Sequence, residues 1–215
     1  MKKIEIMGCG YIGLPPAVTF TLAGYEVCGF DVKAETVEIL SQGKINIVEP
    51  GLQEALTEAM ATGRLHFTTT PEPADVFIIA VQTPYRETPE KKRVSDMRFV
   101  ESAAREVGSV IRPGGLCVLE STSPPGSTRL VEQIVSEVSG LKPEEFMTAH
   151  CPERIIPGRM LLELRQNDRI IGSNRPEAAE YAKSIYEKVV TKGTIRLTDD
   201  LTAEMCKLTE NTFRD

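Results

Sequence analysis

The sequence lacks any apolar run near the ~20 residues that a membrane helix requires. It also lacks a Lys/Arg cluster of the kind that grips nucleic acid. Its balance is acidic: 25 Lys and Arg against 31 Asp and Glu give a formal net charge of −6. These absences exclude a membrane-spanning chain and disfavour nucleic acid as the main partner. Cysteine is sparse and unpatterned. Cys9, Cys28, Cys117, Cys151 and Cys206 are odd in number and widely spaced, with no CxxC and no ligand-type spacing to the two histidines, His66 and His150. That argues against a disulfide framework and a metal site, and for a reduced, cytoplasmic protein. No repeat of fixed period and no low-complexity segment is present. Met1-Lys-Lys followed by Ile4–Cys9 has the outline of a lipoprotein signal. Glu5 interrupts it, and its apolar part falls short of the ~7–15 residues of a signal core, so it reads as a first strand.

What is there is ordinary globular composition, 41% hydrophobic and 26% charged, in 215 residues. That length allows one large domain, or one domain and the start of another. Strand-like runs at Lys3–Met7, Glu26–Phe30, Val76–Val81, Leu116–Glu120, Phe146–His150 and Arg169–Gly172, with a weaker one at Thr194–Leu197, alternate with helical patterns. The helices are expected at Ile12–Ala23, Ala34–Ser41, Gly51–Ala61, Met97–Ile111, Thr128–Val138, Glu177–Val189 and Asp199–Asp215. Several strands are continuous Val/Ile/Leu/Phe stretches, as strands buried on both faces are. Such alternation predicts an α/β, Rossmann-like, doubly wound and mostly parallel sheet with helices on both faces. The polar stretch Tyr85–Val94 reads as a mobile surface loop.

Gly8-Cys9-Gly10-Tyr11-Ile12-Gly13 closes the first strand and opens the first helix. In that context Gly8 permits a tight turn, Gly10 lets backbone approach a pyrophosphate, and Gly13 lets helix and strand pack closely. Asp31, at the end of the second strand, is placed to accept the adenosine ribose hydroxyls and to repel a 2′-phosphate, which favours NAD over NADP. Lys33 slightly weakens that exclusion. Gln82-Thr83-Pro84 and Glu120-Ser121-Thr122-Ser123 follow two further strands, where ligands of such sheets sit. As turn chemistry alone each is unremarkable; two hydroxyl-bearing loops on one edge suggest a role beside the nicotinamide.

Together with Ile47-Val-Glu-Pro50, Cys151-Pro-Glu-Arg154, Pro157-Gly158, Asn167–Gly172 and the long stretch Thr202–Asp215, these motifs resemble the nucleotide-sugar 6-dehydrogenases. That family includes the UDP-glucose and GDP-mannose dehydrogenases; within it the likeness is nearest to those acting on UDP-N-acetyl-D-mannosamine, and it runs end to end. The resemblance implies oxidation of a sugar C6 alcohol to a carboxylate in two hydride transfers, with two NAD⁺, no metal, and a cysteine holding the aldehyde as a thiohemiacetal and then a thioester. It assigns Gly8, Gly10, Tyr11, Ile12, Gly13, Asp31, Thr83 and Thr122 to NAD, with Thr122 also among the catalytic positions. It assigns Glu153 to water activation or positioning, and Arg154, Ile155, Lys207, Asn211 and Arg214 to the UDP-sugar, with Lys207 the acid/base or oxyanion-stabilising group beside Asn211. Spacing agrees with the last three: Lys207, Asn211 and Arg214 lie four and three apart, on one helical face.

The family's Gly-Gly-x-Cys nucleophile motif is absent. Gly114-Gly115-Leu116-Cys117 copies it in letters but precedes a buried strand, so Cys117 reads as core. Cys151 has no nucleophilic role in the motif, and Cys206 points about 100° away from Lys207 on a helix. The final helix has an apolar stripe (Leu201, Met205, Leu208, with Phe213 beyond) and no C-cap. These features lead to the expectation of an NAD-binding domain over residues 1–198 and the start of a central linker or dimerisation helix over 199–215. On that expectation the substrate domain is missing, the chain alone is inactive, and the full-length protein is a homodimer. Alternative readings are the same reaction on UDP-GlcNAc, UDP-GalNAc, UDP-glucose or GDP-mannose, and a non-catalytic NAD-binding module.

Overall fold

In a computed structural model, which describes residues 1–45, 47–154 and 156–214 (the last through its backbone), the central element is an eight-stranded sheet. The chain runs β1 (Lys3–Met7), α1 (Leu14–Leu22), β2 (Glu26–Phe30), α2 (Ala34–Ser41), α3 (Leu52–Ala61), β3 (Leu65–Thr68) and β4 (Val76–Ile79). A hairpin of β5 (Tyr85–Glu87) and β6 (Arg93–Ser95) follows, then α4 (Arg98–Val110), β7 (Leu116–Leu119), α5 (Ser127–Ser139), β8 (Met147–His150), α6 (Met160–Gln166), β9 (Arg169–Gly172), α7 (Pro176–Tyr186), β10 (Ile195–Thr198) and α8 (Asp200–Arg214). The sheet order is β10-β9-β8-β7-β4-β1-β2-β3. Strand order reverses between β1 and β4, the crevice where open α/β sheets bind ligands.

The central strands β4 (VFII) and β7 (LCVL) are buried at every position, as parallel strands covered on both faces must be. On one face α1, α3 and α7 bury Ala17, Val18, Leu56, Ala182 and Ile185 against Ile4, Ile6, Val27 and Val118. On the other, α4 and α5 present Val100, Ala103, Ala104 and Val107 with Val131, Ile134 and Val135 to Phe77, Ile79, Cys117 and Leu119. The α4 spacing of i, i+3, i+4 and i+7 is the apolar stripe of an amphipathic helix.

Helix α6 lies where the sequence pattern predicts no helix, and three further features differ from the sequence expectation. The stretch Tyr85–Val94 is largely a hairpin: β5 and β6 pair antiparallel, with Glu87 opposite Arg93, and the Lys91 N–H donates to Thr88 O in the turn. Opposite charges facing across a hairpin stabilise it, yet mixed charge hides the alternation in the sequence. Strand β3 alternates buried and exposed residues, a pattern too short to read over four residues. Strand β9 runs antiparallel to β8 and meets it at His150 and Gly172, while β10 lies parallel to β9. The Ser173 hydroxyl donates to Thr148 O farther down β8. Strand β9 therefore enters from beyond the carboxyl ends of the parallel strands, which places Arg169 above that edge.

Candidate active site at the carboxyl edge of the sheet

The turn after β1 is built by its glycines. Gly8 has φ +97°, and its N–H donates to Phe30 O at the end of β2. A Cβ on Gly13 would lie 1.8 Å from Gly8 O, so only glycine lets the helix start against the strand. A Cβ on Gly10 would meet nothing within 4 Å; space stands open above that backbone. The Leu14 N–H donates to Gly10 O, and Pro15 and Pro16 at the start of α1 have no N–H. The donors available to an anion here are therefore the N–H groups of the loop Tyr11–Gly13, reinforced by the positive end of the α1 dipole. Asp31 braces this loop: its carboxylate accepts from the Cys9 N–H at 2.9 Å and the Lys33 N–H at 2.9 Å, and each oxygen retains a lone pair for a ribose hydroxyl. Tyr11 and Ile12 are half-buried, and Ile12 packs against the core, so its part in binding is through backbone. An open glycine cradle with a carboxylate at the tip of the second strand fits a dinucleotide.

The two hydroxyl-bearing loops meet. Thr83 Oγ1 donates to Thr122 O at 2.7 Å, and Ser121 Oγ donates to Val81 O at 2.7 Å. They flank the β1/β4 crevice on the side opposite Asp31.

Behind them lies a buried network of which the sequence reading assigns a role only to Glu153. Glu120 directly follows β7 and has no exposed surface. Its Oε1 accepts from the Tyr186 hydroxyl at 2.8 Å, and its Oε2 has no hydrogen-bond partner. Burial, then the nearby Glu153 charge, push its carboxyl up to about 8. Glu153 accepts from Arg169 Nη2 at 3.2 Å through Oε2 and from the Arg154 N–H through Oε1. Arg169 itself is 2% exposed and reaches the site only because β9 is reversed. The signal was a glutamate closing an otherwise apolar strand.

The family model for the NAD-binding domain of UDP-glucose/GDP-mannose dehydrogenases matches residues 2–190. The chain belongs to this family. An NDP-N-acetyl-D-galactosaminuronic acid dehydrogenase of Ralstonia nicotianae is 44% identical, and the match covers 100% of this chain and 51% of that protein. A UDP-N-acetyl-D-mannosamine dehydrogenase of Yersinia pestis is 42% identical over 100% of this chain and 52% of that one. The solved structure of a UDP-D-ManNAc dehydrogenase from Pyrococcus horikoshii superposes with a TM-score of 0.92 at 40% identity, over 99% of this chain and 50% of that one. The chain thus spans about half the length of the relatives it matches. Family membership bears out the Rossmann-like fold and NAD as the cofactor.

For this dehydrogenase family chain, α8 decides where the remaining site residues lie. Asp199 caps α8 by accepting from the Thr202 N–H and hydroxyl. Asp200, Ala203, Glu204 and Lys207, spaced i, i+3, i+4 and i+7, form the buried face. Leu201, Met205 and Phe213 are exposed. Glu204 takes the place of a cap on α5: it accepts from the Gly126 N–H, the Thr128 N–H and the Thr128 hydroxyl at 2.6–2.7 Å. Asp200 accepts from Arg129 Nε and Nη2 at 2.9 and 3.2 Å. Arg154 then ties the loop after β8 to α8, with Nε and Nη2 donating to Glu210 at 2.9 and 3.0 Å. Its guanidinium is engaged there and its N–H on Glu153. Lys207 is 8% exposed, not part of a solvated charged face. Asn211 is half-buried one turn on. Ile155 and the Arg214 side chain lie outside the described residues.

Cys117 is core, as the sequence reading expects. Cys9, Cys28, Cys117 and Cys151 are buried and Cys206 is exposed. Burial pushes the Cys117 and Cys151 thiols up to about 12, far from a thiolate at neutral pH. Cys206 lies on the exposed side of α8, away from the buried Lys207.

Proposed function

We propose that this chain is the NAD-binding part of an enzyme that oxidises the C6 alcohol of a UDP-sugar to the carboxylate, with UDP-N-acetyl-D-mannosamine as substrate. The observation that carries the reading is the Arg154–Glu210 ion pair, which fastens the Glu153 loop at the cofactor edge to the helix bearing Lys207 and Asn211. Residues 1–198 form the cofactor domain, and α8 opens the central helix. Bound NAD⁺ supplies the hydride acceptor. The turn at Gly8 and the close approach at Gly10 bring the N–H groups of Tyr11, Ile12 and Gly13 to the pyrophosphate, Asp31 holds the adenosine ribose, and Thr83 and Thr122 line the nicotinamide side.

Lys207 acts on the substrate oxygen, taking the alcohol proton or stabilising the oxyanion in a dry site. Asn211 donates to the same oxygen. Glu153, held by Arg169 and the Arg154 N–H, positions the hydrolytic water. Arg154, Ile155 and Arg214 bind the sugar nucleotide. The thiol that carries the aldehyde is none of the four buried cysteines. A homodimer formed along the exposed Leu201, Met205 and Phe213 face of α8, in the cytoplasm, completes the proposal. Among the described residues, no helix is long and apolar enough to cross a membrane.

A second reading, a UDP-N-acetylgalactosamine substrate, is favoured by the name and 44% identity of the Ralstonia relative. Turnover on a panel of nucleotide sugars separates the two. In the complete protein, Lys207→Ala lowers kcat by ~10²–10⁴-fold, the usual range for a lost acid/base group; an unchanged kcat overturns the role. Gly10→Val abolishes NAD⁺ binding in calorimetry while leaving the melting temperature in place, because its side chain enters ligand space and touches no protein.

A further inference from the structure

Strand register places three metal-type ligands in one row. Glu5 on β1 pairs with Cys28 on β2, and Cys28 with His66 on β3. Directly opposed residues of neighbouring strands share a face at the ~4.8 Å strand spacing. The segment from β3 to β4 contains no helix, and it returns Glu72 over this row. The Glu72 N–H donates to Glu5 Oε1 at 2.8 Å, and Glu72 Oε1 and Oε2 are each 3.2 Å from His66 Nε2. Cys28 Sγ is 3.8 Å from Glu5 Oε1. The ligand atoms of Cys28, His66 and Glu72 all lie within 4.8 Å of one another. None of these residues has a part in the dinucleotide site, which begins beyond Met7.

We propose that Cys28, His66 and Glu72, with Glu5 as the fourth ligand, form a structural site for a zinc-like divalent cation. Tetrahedral zinc with bonds of about 2.0–2.3 Å sets its ligands roughly 3.3–3.8 Å apart; the His66–Glu72 and Cys28–Glu5 separations are already of that size, and Cys28, His66 and Glu72 close from within 4.8 Å of one another. A thiolate, an imidazole and carboxylates are a ligand set of borderline softness, which suits zinc rather than magnesium or calcium.

An independent observation points to a missing partner. Glu5 has no exposed surface, and its Oε2 has no hydrogen bond, a costly state for a buried carboxylate oxygen. A bound cation would give that oxygen a partner. Lys3 Nζ already sits 2.6 Å from Glu72 Oε2. Two carboxylates and one thiolate balance Lys3 and a divalent ion, so the filled site carries no net charge. Entry is from solvent: the His66 side chain is 46% exposed and that of Glu72 35%, while Cys28 and Glu5 form the buried floor. The sequence shows no ligand spacing because the row is made by register across three strands.

The test is titration of the purified, chelator-treated chain with Co²⁺ and then Zn²⁺, read by absorption and by melting temperature. One Co²⁺ per chain with an intense sulfur-to-cobalt band in the near ultraviolet, displaced by Zn²⁺, supports the site. Cys28→Ser removes the band, His66→Asn weakens binding at least tenfold, and Cys206→Ser leaves both unchanged. Should Cys28→Ser fail to fold, His66→Asn carries the test, since His66 is half-exposed and contributes little to packing. Absence of the band, a band lost only in Cys206→Ser, or full affinity in His66→Asn overturns the proposal.

Discussion

The molecule buries its carboxylates in two ways. On α8, Asp200 and Glu204 are almost wholly enclosed yet richly bonded, Glu204 by three donors at the start of α5 and Asp200 by Arg129 and the Leu201 N–H. In the sheet, Glu5 and Glu120 are equally enclosed, but each leaves one oxygen unbonded, and burial raises both carboxyls. A buried charge that receives strong hydrogen bonds at a helix N-terminus serves architecture. A buried carboxyl left half-bonded costs stability and marks a place where something else acts. The first pair docks α8 on α5; the second lies beside the carboxyl edge of the sheet and in the candidate metal row.

The sharpest contrast comes from removing one charge from each pair. Glu204→Gln turns an amide N–H₂ toward a backbone donor and strips the negative charge from the start of α5. It should destabilise the fold by about 3 kcal/mol, the scale of breaking a buried ionic contact, measured as a shift in the urea midpoint. A loss under ~1 kcal/mol would remove α8 docking from its assigned cause. Glu120→Gln should do far less. Its carboxyl is held protonated up to about 8, so at pH 7 the amide replaces a neutral acid of the same shape. A cost below ~1 kcal/mol is expected there, and a cost equal to that of Glu204→Gln would dissolve the distinction between the pairs.

Much of this was legible in the sequence, and the rest was hidden for identifiable reasons. Strands β1, β2 and β9 and helix α2 lie where apolar residues and their Gly and polar punctuation put them. The Gly8–Gly13 turn and Asp31 could be read because their chemistry depends on short spacings within one β-α-β unit. The Glu120–Tyr186 and Glu153–Arg169 contacts join residues 66 and 16 apart, and the second depends on a strand reversal that a repeating strand–helix pattern does not announce. On α8 the apolar stripe was visible, but a stripe alone does not say which side is buried. Here Glu204 and Asp200 face inward because α5 offers them donors, and Leu201 and Met205 are left outside. Cys28 and His66 looked unrelated for the same reason as Glu120 and Tyr186: tertiary register, not spacing, joins them.

The smallest effect is the most specific one. Glu120 titrates near its ordinary value of about 4.5 in the unfolded chain but near 8 in the fold. Between those values the native state holds a proton that the unfolded state has released, so stability must fall as pH rises through the interval and level off above it. From pH 7 to 8 that single group accounts for about 1 kcal/mol. His150, buried with neither ring nitrogen bonded and held down to about 4, acts in the opposite sense. It weakens the fold as pH falls below its ordinary value, so it leaves the window above pH 7 untouched. Glu5, near 7, contributes a smaller slope common to wild type and variant. Chemical denaturation at pH 7 and 8 should therefore show wild type losing about 1 kcal/mol more than Glu120→Gln. Equal losses would mean that Glu120 is ionised throughout, and that the half-bonded carboxyls are not chemically different from the pair on α8.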